Sequence, residues 1–329
     1  MVIEIIYIKK DERYQTKIRR KKLVRIIEIF KRYSRSPRKL ILTLGKHGCF
    51  NWLPDKHYLK LLYWGEVHKK LNLNKPLTYN EKLQWLKLYD RNPDYNIYVD
   101  KYAVRSYIQE KIGEQYLIPL IGVYESVDEI NWDNLPNKFI LKCTHGSGSN
   151  IICTDKNKFD KQMAIKKLNR WMKKNWYWFG REWPYKNIQP RIICEKYMVD
   201  ESGEELKDYK IFYFNGEPKV IQVDYNRFKG HMRNLYDINW NYMQASIEYP
   251  TNPDVLIKRP EKLDEMLELG RILAKKYPHV RVDFYFTNNK IYFGEMTFYH
   301  GAGLETFHPE EFGMEMGKWI NVPENYGVK

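Results

Sequence analysis

The stretch FILKCTHGSGSN, residues 139–150, decides the fold. An apolar, β-rich run carries one lysine, Lys142, then breaks into Gly146-Ser147-Gly148. The apolar pattern resumes at once in NIICT, residues 150–154. The glycines therefore join strand to strand. That excludes the Walker A loop, whose spacing and Gly-Lys-Ser/Thr ending are absent. It also excludes the dinucleotide fingerprint, which needs a third glycine and leads into a helix. Two readings of the tip stand. Missing Cβ atoms let backbone N–H groups converge on a phosphate, with Ser147 and Ser149 adding hydroxyls. Alternatively, the glycines simply make a turn. An unpaired lysine in an apolar strand is costly, which favours a working role for Lys142.

Outward from this loop, helical and strand patterns alternate. PLTYNEKLQWLKLYD (76–90) opens on Thr78 with Glu81 three residues on, the signature of a capping box. VDKYAVRSYIQEKIG (99–113) predicts a second helix, capped by Asp100, ended by Gly113 and carrying Lys101 on its surface. FDKQMAIKKLNRWMKKNW and PEKLDEMLELGRILAKKY predict two more, the latter starting on Pro260. RIICEKYM (191–198) reads as a buried strand. DYKIFYF and PKVIQVD flank Asn215-Gly216, a strong hairpin signal. RVDFYF and KIYFGEMTF make a last hairpin. Strands in antiparallel pairs with helices between them are α+β organisation, not a doubly wound parallel sheet.

On the last hairpin, Asp283 and Glu295 fall opposite each other if its loop has an odd number of residues, as 288–290 gives. Thr297 follows on the same face. Facing carboxylates repel unless a cation lies between them. Mg²⁺ suits hard oxygen donors and bridges to phosphate; a surface rung with Arg281 or a lysine is the other reading.

The 329 residues carry a net charge of +15, and residues 1–60 hold 17 Lys/Arg against 5 Asp/Glu. That concentration argues against nucleic acid, whose enzymes spread basic residues around a working groove. Leu23, Ile26, Ile27 and Phe30 fall on one side of a basic helix within residues 13–40. Such a helix can lie on an anionic membrane surface or dock as a solvated arm. No run approaches the roughly eighteen apolar residues of a membrane span, and the opening VIEIIYI lacks the polarity of a signal peptide. The expected location is cytoplasmic, at the inner membrane face if the basic helix binds lipid. The four cysteines are scattered, with no metal-ligand spacing.

In order along the chain come DKYAVR, FILKCTHGSGSNIICTDK, IICEKYM, DYKIFYFNGEP, RVDFYF and FGEMTFYHGAG. Together they resemble the ATP-grasp superfamily, and more closely its TupA-like (teichuronopeptide-biosynthesis) branch. LNLNKPLTYNEKLQWLKLYDRNP and YLIPLIGVYESVDEINWDNLP are also similar. The resemblance covers residues 55 to 320. It implies an ATP-grasp fold, two α+β lobes clasping a nucleotide, behind a basic helical N-terminal extension. The expected segments are an extension over 1–54, an N-terminal lobe over 55–135, a central lobe with the glycine lid over 136–196, and a C-terminal lobe with the metal site over 197–329.

The resemblance implies roles for matching positions. Lys142 and Lys101 would hold the phosphates of ATP. Gly146, Ser147 and Gly148 would form the lid. Glu195, Lys196 and Tyr197 would be the hinge meeting adenine, and Asp200 or Glu201 would reach the ribose. Lys210 would face the γ-phosphate, and Arg281 would steady charge at an acyl phosphate. Asp283, Glu295 and Thr297 would ligate Mg²⁺. Many members of the superfamily carry Asn where Thr297 stands, so a second metal would be held more loosely here. The implied reaction joins a carboxylate to an amine, on a uronic-acid sugar or glycan-linked peptide in capsule or surface-polysaccharide biosynthesis.

Rival functions are an ATP-grasp phosphotransferase, a nucleotide-sugar glycosyltransferase, and a non-enzymatic basic module for anionic lipid or nucleic acid. The lack of a D-x-D triplet argues against the commonest metal-dependent glycosyltransferases. WMKKNWYWFGREWPY (171–185) offers four tryptophans for a glycan platform or for packing. His145 and His300 flank the two phosphate-facing loops as candidate acid–base groups. Arg227 and Arg233 are candidates for an acceptor carboxylate.

Overall fold

A computed structural model describes residues 37–200, 203, 206–226 and 230–322. The chain divides into two compact units, Met1–Leu71 and Asn72–Lys329. The first contains α1 (Pro37–Lys46) and α2 (Asp55–Val67), which pack on each other. Most of the basic helix over 13–40 lies outside the described residues. Among the described residues, no helix is long and apolar enough to cross a membrane.

The second unit opens with α3 (Tyr79–Tyr89), α4 (Tyr95–Val99) and α5 (Val104–Lys111). The capping box on α3 is present: the Glu81 N–H donates to Thr78 Oγ1 at 3.2 Å, and the Thr78 N–H donates to Glu81 Oε2 at 3.1 Å. The helix expected over 99–113 is shorter. The Asp100 carboxylate accepts from the N–H groups of Tyr102 and Ala103, so the chain turns there before α5 begins. Lys101 consequently sits in a turn between two helices, not on a helix surface.

A four-stranded antiparallel sheet follows, made of β1 (Leu120–Tyr124), β2 (Phe139–Cys143), β3 (Asn150–Cys153) and β4 (Ile192–Lys196), ordered β1-β4-β2-β3. α6 (Lys161–Met172) covers one face, where Phe139, Leu141, Cys143 and Cys194 join a core with Ala164 and Leu168. Strand alternation sends Lys142, Ile193 and Glu195 to the opposite face. The short α7 (Tyr177–Gly180) lies between α6 and β4.

The larger sheet contains β5 (Asp208–Phe214), β6 (Glu217–Tyr225) and β7 (Met232–Tyr236), with β9 (His279–Thr287) and β10 (Lys290–Thr297). Its order is β10-β9-β5-β6-β7, antiparallel throughout. α8 (Leu263–Ala274) packs on one face, where the Tyr213 hydroxyl donates to the Leu267 carbonyl at 3.1 Å. The other face carries Lys210, Arg281 and Asp283. A two-stranded pair, β8 (Ser246–Ile247) with β11 (Phe307–His308), and α9 (Glu310–Lys318) complete the unit. The fold is α+β, as the sequence pattern indicates.

Both long hairpins turn on two residues with positive φ: Asn215-Gly216 and Asn288-Asn289. The expected odd loop in β9–β10 is absent, because Thr287 pairs directly with Lys290. A two-residue turn alone would leave Glu295 out of line with Asp283. A bulge between Phe293 and Glu295 shifts the register by one, and Glu295 then faces Asp283. The bulged residue is Gly294, where a Cβ would stand 3.1 Å from the Asp283 carbonyl oxygen. The β5–β6 hairpin contains a similar irregularity between Phe212 and Tyr213, which brings Asp208 opposite Asp224.

Candidate active site

The polar faces of the two sheets line one cavity of about 450 Å³. Lys101, Lys142, Ser147, Gly148, Glu195, Lys210, Arg281, Asp283 and Glu295 all border it. Nine residues chosen on sequence grounds thus meet in one place. Gly146 borders a neighbouring cavity of about 220 Å³ on the other side of the same loop.

On the smaller sheet, Lys142 Nζ lies 2.7 Å from Glu195 Oε2, and Arg105 reaches Glu195 Oε1 at 3.5 Å. Glu195 is therefore an ion-paired side chain at the cavity wall. Lys196 is exposed, its N–H donates to the Pro119 carbonyl at 3.0 Å, and neither it nor Tyr197 borders the cavity. Lys101 Nζ donates to the Gly146 carbonyl at 2.9 Å and stands 3.5 Å from Glu295 Oε2, linking the glycine loop to the larger sheet.

The larger sheet is denser in charge. Lys210 pairs closely with Asp208, lies 3.2 Å from Asp283 and 3.8 Å from Asp224. Arg281 donates twice to Asp283, both at 2.7 Å, and once to Glu295 at 2.9 Å. Its third nitrogen contacts His300 Nδ1. Burial would lower the Arg281 pKa, but Asp283, Glu295 and Asp208 outweigh it and raise it above the ordinary value. Burial raises the Asp283 carboxyl to about 6, against the pull of Arg281 and Lys210. For Glu295 burial acts upward too, yet Lys101, Arg281, Lys210 and Lys142 overcome it and hold the carboxyl at about 2. Glu295 is one-third exposed, so it stays ionised beside the cavity.

The cation between Asp283 and Glu295 in this structure is the Arg281 guanidinium. Thr297 Oγ1 lies 3.4 Å from Glu295 Oε1 but does not border the cavity. Among the described residues, no three His, Cys, Asp or Glu side chains form a ready-made metal cage. Two facing carboxylates fit a different role. They are hard oxygen donors suited to an Mg²⁺ ion that completes its shell with water and substrate phosphate.

Other candidates separate. Asp200 is held by Lys207 at 2.7 Å and does not border the cavity, while Glu201 and Arg227 lie outside the described residues. Arg233 borders the cavity and binds Asp224 at 2.7 Å. His145 is buried, with Nε2 3.2 Å from the Trp171 carbonyl. Trp183 donates to the Asp90 carbonyl at 3.0 Å and stacks on Tyr95, so it packs. Sequence reasoning misses three acidic neighbours: Asp208, Asp224 and Glu305. A signal exists for the first two, since like charges facing across a hairpin demand a cation. The bulge that makes them face is not legible in the pattern.

No curated protein sequence matches the chain. Among solved structures, D-alanine–D-alanine ligase from Bacillus anthracis complexed with ATP is similar at 18% identity, covering 61% of this chain and 55% of that one, with a TM-score of 0.36. A second structure of that ligase is matched over 57% of its length, so this chain spans little more than half of either. The ATP-grasp ligase PsnB, complexed with a phosphomimetic precursor, Mg and ADP, is similar at 7% identity over 84% of this chain and 74% of that one, with a TM-score of 0.41. The model of the TupA-like ATP-grasp family matches residues 81–321, well over half of the sequence, and the chain belongs to that family.

Proposed function

We propose that this protein is an ATP-dependent ligase that joins a carboxylate to an amine through an acyl phosphate. The supporting observation is the convergence of Lys101, Lys142, Lys210 and Arg281 with Asp283 and Glu295 on one cavity bounded by a glycine loop. Phosphoryl transfer asks little covalent help of a protein; it asks for positioning and charge neutralisation. Lys142 and Lys101 would offset the triphosphate, and Gly146–Gly148 would close over it. Glu195–Tyr197 would border adenine through groups other than the Lys196 N–H, which is already bonded.

The acceptor carboxylate oxygen attacks the γ-phosphorus and ADP leaves. Lys210 would neutralise the transferring phosphoryl group, and Arg281 would hold charge on the acyl phosphate. The amine nitrogen then attacks the acyl carbon, the C–O bond to phosphate breaks, and inorganic phosphate and a proton depart. Asp283 and Glu295, with Thr297 alongside, would hold Mg²⁺, which supplies charge neutralisation at the phosphates. Closing the loop would keep water from a hydrolysable intermediate.

The acceptor we propose is a uronic-acid sugar or glycan-linked peptide of a bacterial capsule or surface polysaccharide. The basic segment within 13–40, as the amphipathic helix its sequence suggests, would bring the enzyme to the anionic inner membrane face.

Thermal unfolding with Mg²⁺ and a non-hydrolysable ATP analogue tests the nucleotide site. A ligand of the folded state must raise the melting temperature. The expected result is a rise in the wild type that disappears in Lys142→Ala. No rise in the wild type would end the ligase reading. With ATP, an acceptor and an amine, the product should gain the amine and lose water; addition of phosphate alone would mean phosphotransfer.

A further inference from the structure

α3 buries three polar side chains on one stripe, Asn80, Gln84 and Lys87, at spacings of four and three residues. They are 6%, 0% and 0% exposed. Burying polar groups is costly unless each finds a partner. Each of the three donates to a carbonyl of the segment 302–305. Asn80 Nδ2 donates to the Glu305 carbonyl at 2.8 Å. Gln84 Nε2 donates to the carbonyls of Ala302 and Gly303 at 2.9 and 2.8 Å. Lys87 Nζ donates to Ala302 at 2.7 Å, to Gly180 at 2.8 Å and to Gln84 Oε1 at 3.1 Å, using all three of its protons.

The segment so gripped has an unusual backbone. Gly301, Ala302 and Gly303 take successive φ values of +55°, +54° and +61°. Left-handed conformation is unfavourable for alanine and is not kept without external support. A Cβ at Gly303 would stand 2.7 Å from Gln84 Nε2, so the close approach itself requires glycine there. Carbonyls captured by the α3 stripe are that external support.

The turn delivers two side chains to the cavity, His300 and Glu305. His300 Nε2 lies 2.7 Å from Glu305 Oε2, and its Nδ1 faces an Arg281 nitrogen. A guanidinium only donates, so Nδ1 must accept and the ring proton must sit on Nε2, toward Glu305. The Arg281 contact thus selects the ring's tautomer, Glu305 stands beside the ring's other nitrogen, and the ring borders one edge of Arg281. The other edges are fixed by Asp283 and Glu295.

We propose that Asn80, Gln84 and Lys87 form a positioning device for this site: by clamping the left-handed turn they set His300 and Glu305 against Arg281 and hold its guanidinium at the angle needed for the acyl phosphate as it forms. The proposal rests on the ligase reading for what Arg281 does, but not for how it is held. None of the three stripe residues borders the cavity, so each acts through the turn.

Two measurements on the full chain test it. The first is ¹⁵N–¹H NMR of histidine-labelled protein without ligand. Wild type should show His300 as the neutral Nε2–H tautomer; Gln84→Met and the milder Asn80→Ala should lose that signature while remaining folded. The second compares dissociation constants for Mg·ADP and Mg·ADP·aluminium fluoride, a mimic of the transferring phosphoryl group. The stripe variants should lose at least ten-fold of the preference for the fluoride complex while Mg·ADP binding changes less than about two-fold, and His300→Gln should reproduce the loss. Folded variants with a wild-type ring signal and an unchanged preference would overturn the proposal. So would equal weakening of both complexes, which is what general loosening gives. If wild type binds neither complex, the nucleotide reading falls, and the ring signal alone supports or overturns the positioning.

Discussion

The β2–β3 hairpin and the β9–β10 hairpin bring charge to the same cavity by opposite designs. In β2–β3 the residues proposed to act lie at the tip: Gly146, Ser147 and Gly148 border cavities, and one lysine stands behind them on the strand. In β9–β10 the Asn288-Asn289 tip only closes the hairpin, and the charged cluster sits at a bulge well back along the strands, where Arg281, Asp283 and Glu295 interlock. A tip can move without disturbing a core. A bulge inside a five-stranded sheet cannot. On the proposed reading the pair would combine a movable cover with a fixed charge template, the division of labour a closing active site needs.

The largest contrast should come from removing one cation on each side. Arg281→Met leaves the buried Asp283 and the part-exposed Glu295 without their nearest partner, and breaking a buried pair in this way costs about 3–5 kcal/mol. Lys142→Met leaves Glu195 with Arg105, so its cost should be only about 1–2 kcal/mol. Urea midpoints of the two variants measure the difference. Equal losses would mean that the larger sheet's network is no more tightly bound than the ion pair on the smaller one.

Glu305 sharpens the contrast through pH. Burial would raise its carboxyl, but His300, Arg233 and Arg281 overcome that and hold it at about 2. A depressed folded pKa contributes stability above the unfolded value of about 4.5. That contribution is lost as pH falls from about 4.5 toward 2, and amounts to about 2–3 kcal/mol at most. Stability of Glu305→Gln, followed by denaturant midpoint, should fall less steeply than wild type across that window. Parallel curves would show that the carboxylate gains nothing from its partners.

How the two hairpins read in sequence follows the same division. FILKCTHGSGSN stands out because the residues proposed to act are the turn residues, and turn chemistry is written locally. Lys142 stands out because a lysine in an apolar strand is unusual. In β9–β10 the carboxylates are visible and their facing is foreseeable, but only through an odd loop that does not exist. The bulge at Gly294 does that work, and a lone glycine in a strand does not say which register results. Asp208 and Asp224 escape notice for the same reason on β5–β6. Nothing in the helical pattern of residues 76–90 marks Gln84 and Lys87, since a left-handed turn more than two hundred residues later is what covers them.

The third test alters the bulge itself. Gly294→Ala places a Cβ 3.1 Å from both the Asp283 carbonyl and the Tyr285 ring. The carbonyl is backbone, so the strand must shift, at about 1–2 kcal/mol by the usual cost of overpacking. Because the shift lies between Asp283 and Glu295, binding of the Mg·ATP analogue should weaken together with stability. Unchanged binding in a destabilised variant would separate the bulge from the template.

The smallest effect belongs to the tip. Gly148 has φ of +69°, and a Cβ placed there would find nothing within 4 Å, so Gly148→Ala meets no neighbour. Only the left-handed backbone resists, at about 1 kcal/mol. If the backbone can relax at Gly148 into an ordinary conformation, even that is recovered, since Ser147 and Gly148 are exposed. Stability should then be nearly wild type while the melting-temperature rise given by the Mg·ATP analogue shrinks, because a closed lid needs the backbone that alanine disfavours. This pattern, binding lost with stability kept, is the reverse of what a structural turn would give. A structural turn loses stability first and leaves the nucleotide response intact, so the two measurements on one variant decide whether the glycine loop covers a ligand or merely joins two strands.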